Sequence, residues 1–315
     1  MRILIAIPHF YAPHHTEPVE KPRYGADKTP FELRLAIVQH CLDTLYANFI
    51  ASRYELDVST RLLGKEVHRT PARHHLDIIM VVRQPAHLLD SLHLPPRTRI
   101  GTTRNKPREI GFHCHKILAH HVDQYDLFGY LEDDLAIDDP FFFDKIAWFG
   151  ETFGDDYMLQ PNRFEAVAER GRTKVYVDGP IPENGVELTP RQFTGEKKTA
   201  RLLGQDVEFE ARSNPMAGCF FMTRTQLRRW MERPGFGEPH VEFFGTMECA
   251  QILGPVLTFT VMKPSGATSD FLEIRHLDPR LTKLRSPMTT LGQTVPPGEN
   301  RLPPGPRTLR TDKPS

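Results

Sequence analysis

The feature that most constrains the fold of this chain is a short apolar run that ends in three acids. Residues 127–131 have the sequence LFGYL, and Glu132, Asp133 and Asp134 follow directly. A run this short and this apolar predicts a buried strand. Side chains at the carboxyl end of a parallel strand point into the crevice where ligands bind. The pattern therefore predicts concentrated negative charge at one edge of a sheet.

Strands and helices alternate through the first half of the chain. Residues 2–7 and 76–82 are apolar and rich in β-branched side chains, which indicates two more buried strands. Apolar residues recur at helical spacing after Pro30, and a proline near the first helical position favours a helix over 108–123. This alternation predicts an α/β fold in which helices flank a mainly parallel sheet.

The second half shows a less regular pattern. Residues 165–212 combine short strand-like pieces with turn residues, which predicts an irregular, exposed insertion. Before it we predict a strand at 157–159. After it we predict, in order, a strand at 219–223, a helix at 225–232, a helix from 246 that ends before Gly254, and a strand at 256–261.

Charge and hydropathy narrow the choice of partners. Lys plus Arg and Asp plus Glu both number 40, so bulk charge does not favour a nucleic acid. No stretch approaches the ~20 apolar residues of a membrane helix. We expect no transmembrane segment and a cytoplasmic location, with peripheral membrane contact left open.

The four cysteines, Cys41, Cys114, Cys219 and Cys249, form no Cys-x-x-Cys pair, which predicts buried thiols rather than a zinc site.

Chemistry alone leaves two interpretations of the acids at 132–134. Adjacent carboxylates repel one another, and a divalent cation relieves that repulsion. Oxygen ligands suit Mg²⁺ or Mn²⁺, which often bind one or two carboxylates together with substrate phosphates. An acid run after a strand is also typical of a solvated turn or a helix cap, and Asp138 and Asp139 just downstream have that character.

The acid run resembles the Asp-x-Asp motif of GT-A glycosyltransferases, in a likeness that covers roughly residues 1–277. Glu132, Asp133 and Asp134 stand in the place of that motif, with Glu in the first position. His276 is similar to a late histidine that many of these enzymes add to the metal shell. The resemblance implies a GT-A-like, Rossmann-type fold. It also implies Mn²⁺ or Mg²⁺ bound by Asp134, Glu132 and His276, with Asp133 among the residues that bind the donor.

Two later motifs resemble the part of these enzymes that faces the sugar and the acceptor. Residues 214–218 end in Gly218 before an apolar strand and resemble the family's glycine turn. Glu248 resembles the acid at the start of the following helix, with Cys249 where a second acid is usual. An inverting transfer needs a carboxylate to take the proton of the attacking hydroxyl. We predict Glu248 as that base, with Glu242 as its competitor.

The donor is predicted to bind where the first strand ends. Pro8, His9 and Phe10 lie there, and an aromatic ring or imidazole can stack on a nucleobase, although ordinary packing explains Phe10 equally well. Arg83 follows the strand at 76–82, and Arg108 lies in the first turn of the next predicted helix. A cation in that turn opposes the helix dipole, so a bound phosphate would account for it, as would simple solvent exposure.

The resemblance implies one GT-A-like catalytic domain over residues 1–294. Its nucleotide-binding half would be 1–135 and its acceptor half 136–294. The remaining residues, 295–315, are rich in Pro, Gly, Arg and Thr and predict a disordered tail. The expected activity is the transfer of a sugar from a nucleotide diphosphate to a hydroxyl of an unidentified glycan, lipid or small-molecule acceptor.

Other functions stay open at this point. A nucleotidyltransferase or a metal-dependent hydrolase would use a similar sheet and a similar acid-bound metal. A non-catalytic protein that binds a sugar or nucleotide is a further alternative. Gln160, Asn162 and Arg163 are candidates for acceptor contacts. The chain has no Gly-x-x-x-x-Gly-Lys, Gly-x-Ser-x-Gly or His-Glu-x-x-His motif.

Overall fold

The computed structural model describes residues 1–12, 29–67, 74–167, 173–181, 195–240 and 245–282. Its strands are β1 Arg2–His9, β2 Tyr54–Asp57, β3 Leu62–Glu66, β4 His75–Arg83, β5 Thr98–Thr103, β6 Leu127–Leu131, β7 Leu135–Ala136, β8 Tyr157–Leu159, β9 Asn162–Val167, β10 Thr173–Tyr176, β11 Lys197–Leu202, β12 Gln205–Glu210, β13 Cys219–Thr223, β14 Thr260–Pro264 and β15 Glu273–His276. Its α-helices are α1 Phe31–Leu45, α2 Ile110–His120, α3 Phe142–Phe153, α4 Arg224–Met231, α5 Thr246–Glu248 and α6 Gly254–Thr258. π-Helical turns lie at Tyr46–Ile50 and Cys249–Leu253, and 3₁₀ turns at Leu89–Ser91, Pro107–Glu109 and Gly266–Thr268.

The central sheet has the strand order β13-β6-β1-β4-β5. β1 pairs in parallel with β4 on one side and with β6 on the other, and β4 pairs in parallel with β5. β13 is antiparallel to β6. The prediction of an α/β fold with a mainly parallel sheet flanked by helices is therefore confirmed. The strands predicted at 2–7, 76–82 and 127–131 are β1, β4 and β6.

Two apolar cores cover the two faces of this sheet, which explains why β1, β4 and β6 are mainly apolar rather than alternating, whereas β5 at the edge is polar and largely exposed. Alternate residues of β1, among them Ile3 and Ile5, pack with the buried face of α1 and with α3. Leu4 and Ala6 point the other way and pack with α2 and with the segment around Cys249. All of these side chains are fully buried or nearly so.

The prediction of an irregular, exposed insertion at 165–212 is wrong for the described part of that range. β9 and β10 pair antiparallel, as do β11 and β12, and β12 also pairs with β14. In β12, Val207 and Phe209 are buried between exposed polar neighbours. This alternation over a short strand marks a half-buried sheet face, and turn residues around it obscured the pattern.

The predicted strand at 256–261 is also wrong over its first residues. The helix that begins at Thr246 continues through a π-helical turn into α6, and β14 starts only at Thr260. Pro255 nevertheless lies at the second position of α6, inside the continuous helix. The helix predicted at 108–123 is shorter, as α2 ends at His120.

All four cysteines are buried free thiols, as predicted. His115 on α2 is buried among aromatic rings, and its Nε2 hydrogen donates to the carbonyl oxygen of Ala250 at 2.7 Å. Among the described residues, no helix combines the length and the apolar character that crossing a membrane requires.

Candidate active site

A cavity of about 500 Å³ lies at the carboxyl ends of β1 and β6. The strand order reverses beside β1, because β4 and β5 continue on one side and β6 lies on the other. Ligands of open α/β sheets bind at such a switch point. The cavity is lined by residues that the sequence singled out, namely Pro8, His9, Phe10, Arg108, Glu132, Asp133, Asp134, Arg163, Glu248 and His276.

Other predicted residues lie elsewhere. Arg83, at the end of β4, does not line the cavity, and Glu242 falls outside the described residues. Gln160 and Asn162 are buried and hold the backbone. The Gln160 amide nitrogen donates to the carbonyl of Cys219 at 2.7 Å, and the Asn162 amide nitrogen donates to the carbonyls of Pro264 and Ser269.

Both carboxylate oxygens of Asp133 are hydrogen-bonded to other side chains of the protein. His9 Nδ1 lies 2.6 Å from one carboxylate oxygen, and an Arg34 guanidinium nitrogen donates to the other at 2.5 Å. The backbone N–H of Leu88 donates to His9 Nε2 at 3.0 Å, so the ring hydrogen must be on Nδ1, which donates to Asp133. His9 is only 1% exposed. These contacts make Asp133 an anchor between β6, β1 and α1.

Asp134 is less completely satisfied. Its Oδ2 accepts a hydrogen bond from the Arg280 guanidinium at 3.0 Å and lies 3.5 Å from His276 Nε2. Its Oδ1 is buried and has no hydrogen-bond partner among the described residues. Burial alone would raise the pKa of Asp134, but His276, Arg34 and Arg280 outweigh it and hold that pKa below its ordinary value. An ionised carboxylate thus keeps one oxygen unused.

Glu132 lies beside Asp134 and behaves in the opposite way. Its removal from bulk water raises its pKa to about 8, and the charges of Asp134 and Glu248 add to this rise, while Arg163 and His276 oppose it. Glu248 is therefore within electrostatic range of Glu132 across the cavity. The carboxyl of Glu132 is therefore harder to ionise than that of an ordinary glutamate.

Gly218 lies beside Glu132, although it does not itself line the cavity. Its φ of +71° lies in the left-handed region that favours glycine. A Cβ at this position would also lie 2.8 Å from Glu132 Oε2 and 2.9 Å from Leu135 Cδ1. The carbonyl of Gly218 accepts the N–H of Glu132 at 3.0 Å. The glycine is therefore required both for backbone conformation and for space.

The cavity residues that sequence reasoning missed include Arg34, Gln251 and Arg280. Arg34 lies on the first helix, at a position that the helical pattern does not distinguish from a solvated one. Arg280 follows β15 and is held over the cavity because Glu165 accepts the backbone N–H groups of Leu281 and Thr282 at 3.0 and 2.8 Å. The sequence alone does not indicate that Arg34 contacts Asp133 or that Arg280 contacts Asp134.

The residues around Asp134 can be tested for their fit to a divalent cation. His276 Nδ1 donates to Glu165 at 2.7 Å, which directs Nε2 toward Asp134. Metal-binding histidines commonly donate their second ring N–H to a carboxylate in this way. Together with the unused Asp134 oxygen and the raised pKa of Glu132, this arrangement fits an oxygen- and nitrogen-binding cation. Within the described ranges, no group of three or more His, Cys, Asp and Glu side chains is already gathered to hold one.

Comparisons with known proteins leave the family of this chain unassigned. No protein-family model and no curated protein matches the sequence. Among solved structures, the chain is similar to a CMP:2-keto-3-deoxy-manno-octonic acid synthetase complexed with CTP. The TM-score is 0.33 at 10% sequence identity, and the match covers 74% of this chain and 79% of that one. A likeness of this size assigns no activity to the protein.

Proposed function

We propose that this protein is an enzyme that acts on a nucleotide-linked sugar, and specifically that it is a metal-dependent glycosyltransferase. One observation carries the proposal. The end of β1, the acid run after β6, Met216 of the turn at 214–218 and Glu248 come from distant parts of the chain and meet at one cavity. Their order along the sequence is the order that the resemblance to GT-A enzymes implies.

The diphosphate of the donor would bind at the side of the cavity that contains Asp134. Asp134, Glu132 and His276 would hold Mn²⁺ or Mg²⁺, which supplies Lewis-acid neutralisation of the leaving diphosphate. The guanidinium groups of Arg108 and Arg280 line the same cavity and suit phosphate oxygens. Phe10, at the end of β1, offers an aromatic face to the base.

The opposite side of the cavity would perform the transfer. Glu248 lies at the end of α5 and is only partly buried, so an acceptor hydroxyl can reach it. Its carboxylate would take the proton of that hydroxyl as the oxygen attacks the anomeric carbon. The bond from that carbon to the diphosphate breaks as the new glycosidic bond forms. Gly218 would act indirectly, because its lack of a side chain lets the turn pack closely against Glu132.

Nucleotidyl transfer is the second candidate. It is favoured by the number of arginines at the cavity, since Arg34, Arg108, Arg163 and Arg280 together suit a more highly charged nucleoside triphosphate. Three of them already contact carboxylates, namely those of Asp133, Asp178 and Asp134. This pairing leaves less free positive charge than the count suggests, so we favour the diphosphate sugar.

A thermal-shift screen tests the proposal and separates the candidates. The purified protein is heated with UDP, GDP, CDP and dTDP sugars and with the nucleoside triphosphates, each with Mn²⁺, Mg²⁺ or EDTA. A ligand at ~100 times its dissociation constant stabilises the fold by about 2.7 kcal/mol. We expect one diphosphate sugar to raise Tm only when metal is present. A response to triphosphates alone would favour nucleotidyl transfer.

Two variants then assign the roles. Asp134→Ala should abolish the metal-dependent shift, because it removes the unused carboxylate oxygen. Glu248→Gln should keep the shift but lose turnover, since an amide cannot accept the proton. A Glu248→Gln variant with normal turnover would exclude the base. Intact metal-dependent binding by Asp134→Ala would exclude the metal role. Wild-type binding without any turnover would point to a non-catalytic binding protein.

A further inference from the structure

Gln251 is a cavity residue with an amide that the proposed mechanism does not use. It lies in the π-helical turn Cys249–Leu253, directly after the short helix that carries Glu248. The side chain is 5% exposed and lines the cavity. π-Helical turns are rare and occur frequently at functional sites. A buried glutamine in such a turn has a strongly restricted choice of hydrogen-bond partners.

The orientation of this amide is determined by one backbone contact. The N–H of Gly218 donates to Gln251 Oε1 at 2.7 Å. A flipped amide would set its own hydrogens against that N–H, so the oxygen must face Gly218. Nε2 is left with two donor hydrogens and makes no hydrogen bond to another described residue. It is not one of the buried polar atoms that lack a partner, so its hydrogens are accessible from the cavity, where a substrate oxygen can accept them.

Gly218 also connects this amide to the rest of the site. Its N–H is bound by Gln251, and its carbonyl accepts the N–H of Glu132. One residue therefore joins the acid run to the turn of helix that follows Glu248. Gln251 is thus connected through Gly218 to Glu132, and it lies three residues after Glu248. The transferred sugar, which joins the diphosphate to the site of attack, is the part of the substrate that would lie beside it.

We propose that Gln251 is a specificity-determining residue whose Nε2 donates a hydrogen bond to a hydroxyl of the transferred sugar. The ligand class is a hydroxylated ring, since an uncharged amide donor suits a neutral oxygen, whereas the guanidinium groups of the cavity suit phosphate. This proposal rests on the proposed function. It further states that the site distinguishes sugars by one hydroxyl, because a site built to bind a hydroxyl rejects the analogue that lacks it.

Gln160 provides a matched control. It contacts the same turn, since its amide nitrogen donates to the carbonyl of Cys219, but it is fully buried and does not line the cavity. Gln160→Met and Gln251→Met each remove one buried amide beside Gly218. Gln251→Glu is a second test variant, because a carboxylate still accepts the Gly218 N–H and provides no amide donors. It covers the case in which Gln251→Met fails to fold.

The experiment measures affinities by calorimetry in the presence of Mn²⁺. The probes are UDP-glucose, UDP-N-acetylglucosamine, GDP-mannose and dTDP-glucose, each against its own nucleoside diphosphate. We expect the wild type to bind one sugar more tightly than the matching diphosphate. Gln251→Met and Gln251→Glu should lose about tenfold of that difference, the size of one neutral hydrogen bond. Gln160→Met should keep it. Monodeoxy analogues of that sugar should identify one hydroxyl that matters to the wild type and not to the Gln251 variants.

The outcomes separate the two proposals. If the wild type binds a nucleoside diphosphate and the sugar adds no affinity, or if the Gln251 variants keep the full difference, the role of Gln251 is refuted while the nucleotide site stands. If the wild type binds no diphosphate and no sugar nucleotide, the proposed function fails and the role of Gln251 fails with it. A loss in Gln160→Met equal to that in Gln251→Met would show a purely structural effect.

Discussion

The two sides of the acid run differ although they consist of neighbouring residues. On the anchored side, Asp133 is satisfied by His9 and Arg34, and neither oxygen is left over. On the open side, Asp134 keeps one unused oxygen and Glu132 has a raised pKa. The residue types alone do not distinguish them. What separates an internal anchor from a candidate ligand is the set of partners that the fold brings to each carboxylate.

The variant with the largest expected effect on stability removes a partner of Asp133 on the anchored side. Arg34→Met leaves the buried Asp133 carboxylate without its guanidinium, and breaking a buried pair from one side costs about 3–5 kcal/mol. We expect urea unfolding to show a loss of that size. Arg201→Met is the control, because Arg201 pairs with Asp206 on the surface and should change stability by under ~1 kcal/mol. Equal stability of the two variants would contradict the anchor.

The next test uses the pH dependence of the open side. The pKa of Glu132 is raised to about 8 in the fold, while the ordinary value is 4.5. Below pH 4.5 the carboxyl is protonated in both the folded and unfolded states. As pH rises toward 8, only the unfolded state loses the proton freely, so the folded state loses stability. Asp134, Glu248, Arg163 and His276 are the charged groups whose effects reach it.

Glu132→Gln removes this titration. Without metal, the free energy of unfolding of the variant should rise relative to wild type between about pH 5 and pH 8, and the two should run parallel below pH 4.5. Urea unfolding across this pH range makes the measurement. A difference that does not change with pH would show that Glu132 titrates normally. Added Mn²⁺ should reduce the difference, because a bound cation favours the ionised carboxylate.

The smallest effect on stability is expected for Arg280, the most exposed of the residues that contact Asp134. Arg280 contacts Asp134, but its side chain is 36% exposed, so solvent screens the pair. Arg280→Gln should change the free energy of unfolding by no more than ~1 kcal/mol. The segment keeps its position because Glu165 still accepts the backbone N–H groups of Leu281 and Thr282. A loss as large as that of Arg34→Met would remove the distinction between the two sides.

Much of the central sheet could be predicted because its physical cause is local. A strand buried on both faces must be apolar throughout, and β1, β4 and β6 carry that pattern in their own residues. The acid run was recognisable for the same reason, since it follows a buried strand directly. The prediction failed where local signals conflict. Pro255 indicates a helix end, yet a π-helical turn before it allows the helix to continue.

The partners within the site could not be predicted in the same way. Arg34 reaches Asp133 from a helix near the start of the chain, and Arg280 reaches Asp134 from beyond the last strand. Each contact depends on how distant elements pack, and a single sequence contains no record of that packing. Gln251 was missed because the sequence does not show that a π-helical turn follows Glu248. Without that turn, the spacing of the two residues does not indicate whether they face the same cavity.

The widened helix also determines how this site tolerates changes in chain length. A π-helical turn holds one more residue than the α-helical turn that it replaces, so deleting one residue from Cys249–Leu253 would restore a regular helix. Removing residue 249 or 250 would shorten the spacing between Glu248 and Gln251 from three residues to two, which places them on nearly opposite sides of a regular α-helix, about 200° apart in rotation. The two side chains could not then both face the cavity. Shortening this helix by a single codon should therefore be far more damaging than most substitutions within it.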